Sequence, residues 1–315
     1  MTKTAFLFAG QGAQKVGMGK DFADQFPRAQ ELFARANEIL GYDLASVCFH
    51  GPEVELTKTE NAQPAIYLVS WVAFQLLRER LPNLAFDATA GLSLGEFTAL
   101  AAAGALSFED GLRVVWRRGR FMQEACELTR GGMAAIIALD EEATREVCAE
   151  AGVELANLNC PGQLVISGET EKIAAACELA KKRGAKKAMP LTVAGAYHSR
   201  LMASAQSKLS AELERVTLRA PQVPVISNVT ALPHGSTSEL QARLVDQVTS
   251  PVRWEASMRY LLAQGFTRFV ELGPGAALNS TLKRIDDQAQ RLNIADVPSL
   301  EAAVQALADY NGCQK

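Results

Sequence analysis

Histidine and tryptophan are the scarcest residues in this chain, three of each among 315. Chemistry that needs an imidazole base therefore has only His50, His198 and His234 to draw on. Cysteine is sparse and unpaired: Cys48, Cys126, Cys148, Cys160, Cys177 and Cys313 are scattered with no CxxC spacing. That pattern excludes the usual zinc-site and disulfide-framework readings, and the six are expected to be reduced thiols, with no metal bound. Positive charge is not in excess either. With 32 Lys and Arg against 35 Asp and Glu, the net charge of −3 argues against a general nucleic-acid binder, which needs a basic balance to neutralise phosphates. Long hydrophobic runs are missing: the N-terminal stretch Ala5 to Ala9 is too short for a signal-peptide core or a membrane span, so a cytoplasmic protein without membrane contact is expected. There are no internal repeats and no low-complexity linkers.

What is present is an ordinary globular composition, 48% hydrophobic and 21% charged, with enough apolar residues for a sizeable core. Thr4 to Ala9 has the length and composition of a buried strand, and it runs into the glycine-rich loop Gly10-Gln11-Gly12. Helical spacing follows over Asp21 to Leu40, stopped by Gly41, and again over Ala65 to Leu81. Ser107 and Asp110 carry a capping-box pattern ahead of a long helix to about Cys126.

After Gly131-Gly132 the texture changes. Met133 to Leu139 reads as a strand, Glu141 to Ala151 as a helix, Val153 to Leu158 and Leu164 to Ser167 as strands, Glu171 to Arg183 as a helix and Lys187 to Val193 as a strand. The order βαββαβ is that of a ferredoxin-like unit. The expected fold class is thus α/β: a hydrolase-like core with a mainly parallel sheet over 1–129 and 194–315, interrupted by a small ferredoxin-like domain at 130–193. Val223 to Asn228 and Phe266 to Leu272 supply further core strands.

Gly91-Leu92-Ser93-Leu94-Gly95 matches GxSxG. It lies between a short segment around Phe86 to Ala90 and an Ala-rich helical stretch, where a sharp strand-to-helix turn can project a serine oxygen beside helix N–H groups. Taken alone, the motif also fits a plain turn. A serine hydroxyl needs a base to take its proton. His50, before Gly51-Pro52, and His234, in Pro233-His234-Gly235-Ser236, sit in loop settings that suggest solvated side chains; the local sequence of His198 fits a structural or a catalytic role equally. A nucleotide-site reading of Gly10-Gln11-Gly12 is disfavoured, because a third glycine at the required spacing and a GKS/T are both lacking.

The wider context is more specific. FAGQG, AGLSLGEFTALAAAGALSFEDGLRVV, GRFMQEA, NCPGQLVISG, AYHSRLM, PVISNV, SPVRW and ELGPG follow in order. Together they resemble the acyltransferase family that contains malonyl-CoA:acyl carrier protein transacylases and the acyltransferase domains of polyketide synthases, from Phe6 to about Arg284. The resemblance implies Ser93 as nucleophile and His198 as its base. It also implies that a backbone carbonyl near Gln247, not an aspartate, orients the histidine, and that the N–H groups of Gln11 and Leu94 receive the oxyanion. Asp246 as a conventional third member is the competing assignment.

For the substrate, the resemblance singles out Arg118, in the RG ahead of FMQEA, as the grip on a malonyl carboxylate, since guanidinium binds carboxylate through two parallel hydrogen bonds. Arg113, Arg117 and Arg120 share its helix. Met122 and Gln11 join the substrate site, and Tyr197 matches the aromatic position associated with malonyl over branched substrates. Two departures stand out: Leu92 replaces the histidine that usually precedes the serine, and the first loop reads AGQG in place of PGQG.

The implied activity is malonyl transfer from malonyl-CoA to the phosphopantetheine thiol of an acyl carrier protein, for fatty acid synthesis, by a monomer needing no cofactor. A free-standing acyltransferase serving a polyketide synthase, a hydrolase clearing stalled thioesters and a non-catalytic carrier-binding scaffold are the alternatives. The basic cluster Lys181, Lys182, Arg183, Lys186 and Lys187 fits steering of an acidic carrier protein or a solvated helix end.

Overall fold

The computed structural model describes residues 2–312. Among them the chain passes through β1 (Lys3–Phe8), β2 (Ala88–Gly91), β3 (Gly131–Ile137), β4 (Glu154–Cys160), β5 (Gln163–Glu169), β6 (Lys187–Pro190), β7 (Val225–Ile226), β8 (Phe266–Leu272) and β9 (Gln290–Ile294). β1 is apolar from Ala5 to Phe8 because it becomes the middle of a parallel sheet ordered β7-β2-β1-β8-β9, with both faces covered. The side chains alternate accordingly. Phe6 and Phe8 enter one core with Phe74 and Phe97, while Ala5 and Leu7 enter the core on the other face with Trp254 and Phe269.

The second sheet is antiparallel, ordered β4-β5-β3-β6, with helices Glu141–Ala151 and Thr170–Lys182 between its strands. This is the ferredoxin-like order, with its own core built from Ile136, Val147, Leu155, Ile166 and Ile173. Main-chain bonds tie it to the larger unit: Leu158 N–H donates to Val252 O (2.9 Å) and Val252 N–H to Ala156 O (2.8 Å). Arg284 adds a side-chain tie, donating to Gln163 Oε1 and Pro161 O, both at 2.7 Å.

Several elements differ from the sequence expectations, each for a local reason. The 21–40 stretch is two helices, Lys20–Gln25 and Pro27–Leu40, because Pro27 forces Phe26 into extended backbone (φ −121°, ψ 117°). The next helix starts at Thr59, before the expected Ala65, and carries Pro64 inside it. Ser107 does accept the Asp110 N–H, but the Asp110 carboxylate takes the Ser107 hydroxyl and not its backbone N–H; the reciprocal box forms instead at Ser236 and Glu239. β6 ends at Pro190, short of Val193, and β7 is two residues long. β9, with its mixed sequence Gln290–Ile294, gave no strand pattern and is an edge strand of the parallel sheet. No helix among the described residues is long and apolar enough to cross a membrane. Cys313 lies outside the described residues; the other five cysteines are buried and free.

Candidate active site

The GxSxG turn forms where β2 ends and the helix Gly95–Ala102 begins, and both of its glycines are required by close approach. A Cβ on Gly91 would lie 2.0 Å from Gly95 C and O, and one on Gly95 would lie 2.1 Å from Phe8 O. Ser93 itself is held in the left-handed region (φ 53°). Such a conformation costs a non-glycine residue free energy and persists only where its surroundings impose it. Here Ser93 N–H donates to Asn228 Oδ1 (2.6 Å), while Asn228 Nδ2 donates to Gly91 O (2.7 Å), clamping both sides of the turn.

The Ser93 hydroxyl lies 2.9 Å from His198 Nε2. His198 Nδ1 lies 2.8 Å from the carbonyl oxygen of Gln247. A carbonyl only accepts, so Nδ1 carries the proton and Nε2 is left bare to take the serine proton. Burial holds the His198 pKa down at about 4, with the Arg118 cation adding to the effect and backbone contacts from Gln247 and Ser250 opposing it. The imidazole is therefore neutral, the form a base requires, through the whole neutral range. The sign for activity follows: kcat/KM should stay level from neutral pH down to about pH 5 and fall by half near pH 4, because protonation removes the base. A pH profile with its acid inflection near the ordinary histidine value would contradict this buried geometry.

Asp246 is exposed and makes no hydrogen bond to His198; the carbonyl of its neighbour Gln247 takes that place. Asp246→Ala is accordingly expected to leave turnover within about threefold of the parent in a steady-state assay, the range for a surface change away from such features.

Arg118 is fully enclosed, 1% exposed, and Nη2 donates to both Ser93 Oγ (3.1 Å) and Gln247 Oε1 (2.9 Å), with Nη1 on Gln63 Oε1 (2.7 Å). Burial lowers its pKa to about 10, against the raising influence of Glu96, so the guanidinium remains charged at neutral pH. The other arginines of its helix are spent elsewhere: Arg113 on Asp110, Arg117 on Glu212, and Arg120 over the Trp116 ring. Only position 118 faces inward, because the helix Phe108–Leu128 buries one stripe that also carries Val114, Val115 and Met122.

The glycine loop after β1 packs directly on this turn: a Cβ on Gly10 would meet Leu92 O at 2.4 Å. That approach brings the Gln11 backbone up to the elbow. The N–H groups of Gln11 and Leu94 have no acceptor among the described residues. Ser93 and His198 open into a cleft of about 1040 Å³ between the two sheets, lined on one side by Gln11, Leu92, Met122 and Tyr197 and on the other by Asn159 and Leu191. Met122 is buried with its sulfur 3.4 Å from Gln63 Nε2, and the Tyr197 hydroxyl bonds Thr59, its pKa pushed up to about 12 by burial.

Three participants were not anticipated. Glu96, Asn228 and His234 are buried beneath the serine, and His234, expected in solvent, has a side chain with no exposed surface. The signal for Glu96 was available: a lone carboxylate in the apolar run Leu94 to Ala103. His50 is exposed as expected, but it closes the helix Leu44–His50 and is not in a loop. In the basic cluster, Lys181 is paired with Glu178 and Arg183 with Glu146 and Glu150, which leaves Lys182, Lys186 and Lys187 as exposed cations outside those pairs.

A buried serine on a strand-to-helix elbow, a neutral histidine held by a main-chain carbonyl, and two free N–H groups beside them define a serine acyl-transfer enzyme. The chain belongs to the acyl transferase domain family, whose profile matches residues 5–308. It is 45% identical over 316 residues to the malonyl CoA-acyl carrier protein transacylase of Bacillus subtilis, covering 99% of each chain. Among solved structures it is similar to the transacylase of that name from Coxiella burnetii, with a TM-score of 0.94 at 36% identity over 97% of this chain and 98% of that one. It is equally similar, at a TM-score of 0.94 and 38% identity over 97% of this chain and 100% of the other, to a malonyl-transacylase solved with a type II polyketide synthase acyl carrier protein.

Proposed function

We propose that this enzyme transfers a malonyl group from malonyl-CoA to the phosphopantetheine thiol of an acyl carrier protein, through an ester on Ser93. The observation that carries the malonyl assignment is the buried, charged Arg118 beside the nucleophile, 3.1 Å from Ser93 Oγ. A cation held at that depth with its Nε unpartnered is suited to an acyl group that brings its own carboxylate.

Ser93 attacks the thioester carbon as its proton passes to His198 Nε2. The oxyanion is received by the N–H groups of Gln11 and Leu94, a contribution of roughly 3–4 kcal/mol per donor in a comparable hydrolase. The imidazolium, steadied at Nδ1 by the Gln247 carbonyl, protonates the departing CoA sulfur. The carrier thiol then enters, gives its proton to His198, and takes the malonyl group in the reverse of the same steps. Tyr197 and Met122 line the cleft beside Ser93, and the bulk of the Tyr197 ring is expected to disfavour a branch at the malonyl C2. The scheme uses no metal or redox cofactor.

The test is intact-protein mass after brief mixing with malonyl-CoA, acetyl-CoA or methylmalonyl-CoA, followed by addition of a phosphopantetheinylated carrier protein. A malonyl adduct that the carrier discharges supports the reading; an adduct that water discharges as fast favours a hydrolase. Comparing carriers from fatty acid and polyketide systems as acceptors separates the two pathways, and the likeness to a polyketide-associated transacylase makes the second comparison worthwhile.

A further inference from the structure

Beneath the reactive pair lies a second buried layer of polar groups. Gln247 does more than lend its carbonyl to His198. Its side-chain oxygen accepts from Arg118 Nη2 (2.9 Å), and its Nε2 donates to Ser93 O (3.0 Å) and to Glu96 Oε2 (2.6 Å). One residue thus sets the position of the base, the carboxylate grip and the nucleophile's main chain. What sets Gln247 is Glu96, and the Glu96 carboxylate is itself held from two sides: Oε2 also accepts Asn228 N–H (3.1 Å), and Oε1 accepts from His234 Nε2 (2.7 Å).

Among the described residues, His234 is the one donor to Oε1. It reaches that position because His234 N–H bonds Val225 O (2.9 Å) and Pro233 bridges to Ile226, which folds the 227–234 loop back along β7 under the nucleophile helix. The side chains of Glu96 and His234 have no exposed surface. His234 Nδ1 is buried with no partner among the described residues, and a carboxylate oxygen only accepts, so Nε2 is the ring nitrogen that donates an N–H hydrogen bond to Glu96. A buried carboxylate stripped of such a donor is left with an uncompensated lone pair and turns toward whatever other donors it can reach. The donors within reach are Gln247 and Asn228, the two residues that orient the site.

We propose that His234 is a positioning residue: through Glu96 it fixes Gln247, and thereby the orientation of both His198 and Arg118. It touches no substrate. The inference rests on the acyl-transfer reading above and adds to it a contact that none of the recognised motifs contains, since His234 lies between PVISNV and SPVRW.

The test is the single-turnover rate of Ser93 acylation, followed by rapid quench and intact mass, with malonyl-CoA and with acetyl-CoA, for the parent, His234→Leu and His234→Gln. The leucine variant is expected to acylate about tenfold more slowly with malonyl-CoA, the scale of one lost hydrogen bond to a charged group, and to lose part of its malonyl-over-acetyl preference because Gln247, one of the groups that hold Arg118, is no longer fixed. Glutamine, whose amide nitrogen can take the place of Nε2, should restore the rate to within about threefold. Parental rates in the leucine variant would overturn the proposal, as would equal losses in both variants for both donors, which is the mark of a merely structural residue. Absence of any adduct on the parent would instead remove the acyl-transfer reading, and this one with it. A readout on the unaltered protein covers the case in which the leucine variant does not fold: long-range proton–nitrogen correlation of the His234 ring should show the proton on Nε2, and a ring protonated only at Nδ1 would overturn the assignment.

Discussion

Ser93→Ala is expected to reduce malonyl transfer by about ten-thousandfold or more and to abolish the covalent adduct, with His198→Ala close behind. The size follows from the geometry. Oγ lies 2.9 Å from the bare nitrogen of a neutral imidazole, and residues that act as one unit lose nearly everything when either is removed. What remains would come from the oxyanion donors and from binding, which the substitution leaves in place. Because the Ser93 main chain is clamped by Asn228 and lies in the left-handed region, alanine should occupy the same strained turn, so the melting temperature is a fair control. An adduct that persists in the alanine variant would move the nucleophile elsewhere.

Arg118→Ala should separate the acyl donors. Malonyl transfer is expected to fall by about a hundredfold, since a two-pronged, desolvated guanidinium–carboxylate contact contributes on the order of 3 kcal/mol, whereas acetyl transfer, which offers no carboxylate, should fall far less. Some loss with both is built into the structure, because Nη2 also touches Ser93 Oγ and Gln247 Oε1. The ratio of kcat/KM for the two donors is therefore the quantity to measure, and an unchanged ratio would detach Arg118 from the malonyl carboxylate. The same change takes away a cation that helps hold the His198 pKa down, so the acid limb of the pH profile should move upward, even though burial is the larger cause of that depression.

The regular elements were legible where one physical pattern dominated. β1 reads as a buried strand because a central parallel strand is apolar on both faces, and the 130–193 stretch reads as βαββαβ from the alternation of strand-like and helix-like segments. Reading failed where packing overrode the pattern. β9 has polar and apolar residues mixed and is a strand only because β8 offers it a free edge. His234 stands between a proline and a glycine, and no local feature tells that its loop folds back along β7 and is then covered by the nucleophile helix.

The candidate site divides the same way. Ser93, His198, Arg118, Gln11, Leu94, Gln247, Met122 and Tyr197 could be nominated from ordered motifs, because chemistry restricts which residue types can serve. The sequence by itself determined the kinds of group available: one serine on a glycine-flanked turn, one histidine in a motif, several arginines on one helix, and no metal-binding or disulfide pattern. It also showed that the glycines at 91 and 95 permit a sharp turn there, whereas the need for glycine at 95 comes from the close approach of Phe8 O. Only the tertiary structure decided which arginine faces inward, that Gln247 O and not Asp246 meets His198, and that Glu96 and His234 lie beneath them. Those outcomes depend on distances between segments far apart in the chain, 49 residues for His198 and Gln247 and 138 for Glu96 and His234, and on removal from water, which depresses the pKa of one histidine and makes another the buried partner of a carboxylate. Neither distance nor dielectric is a property of a local stretch of chain.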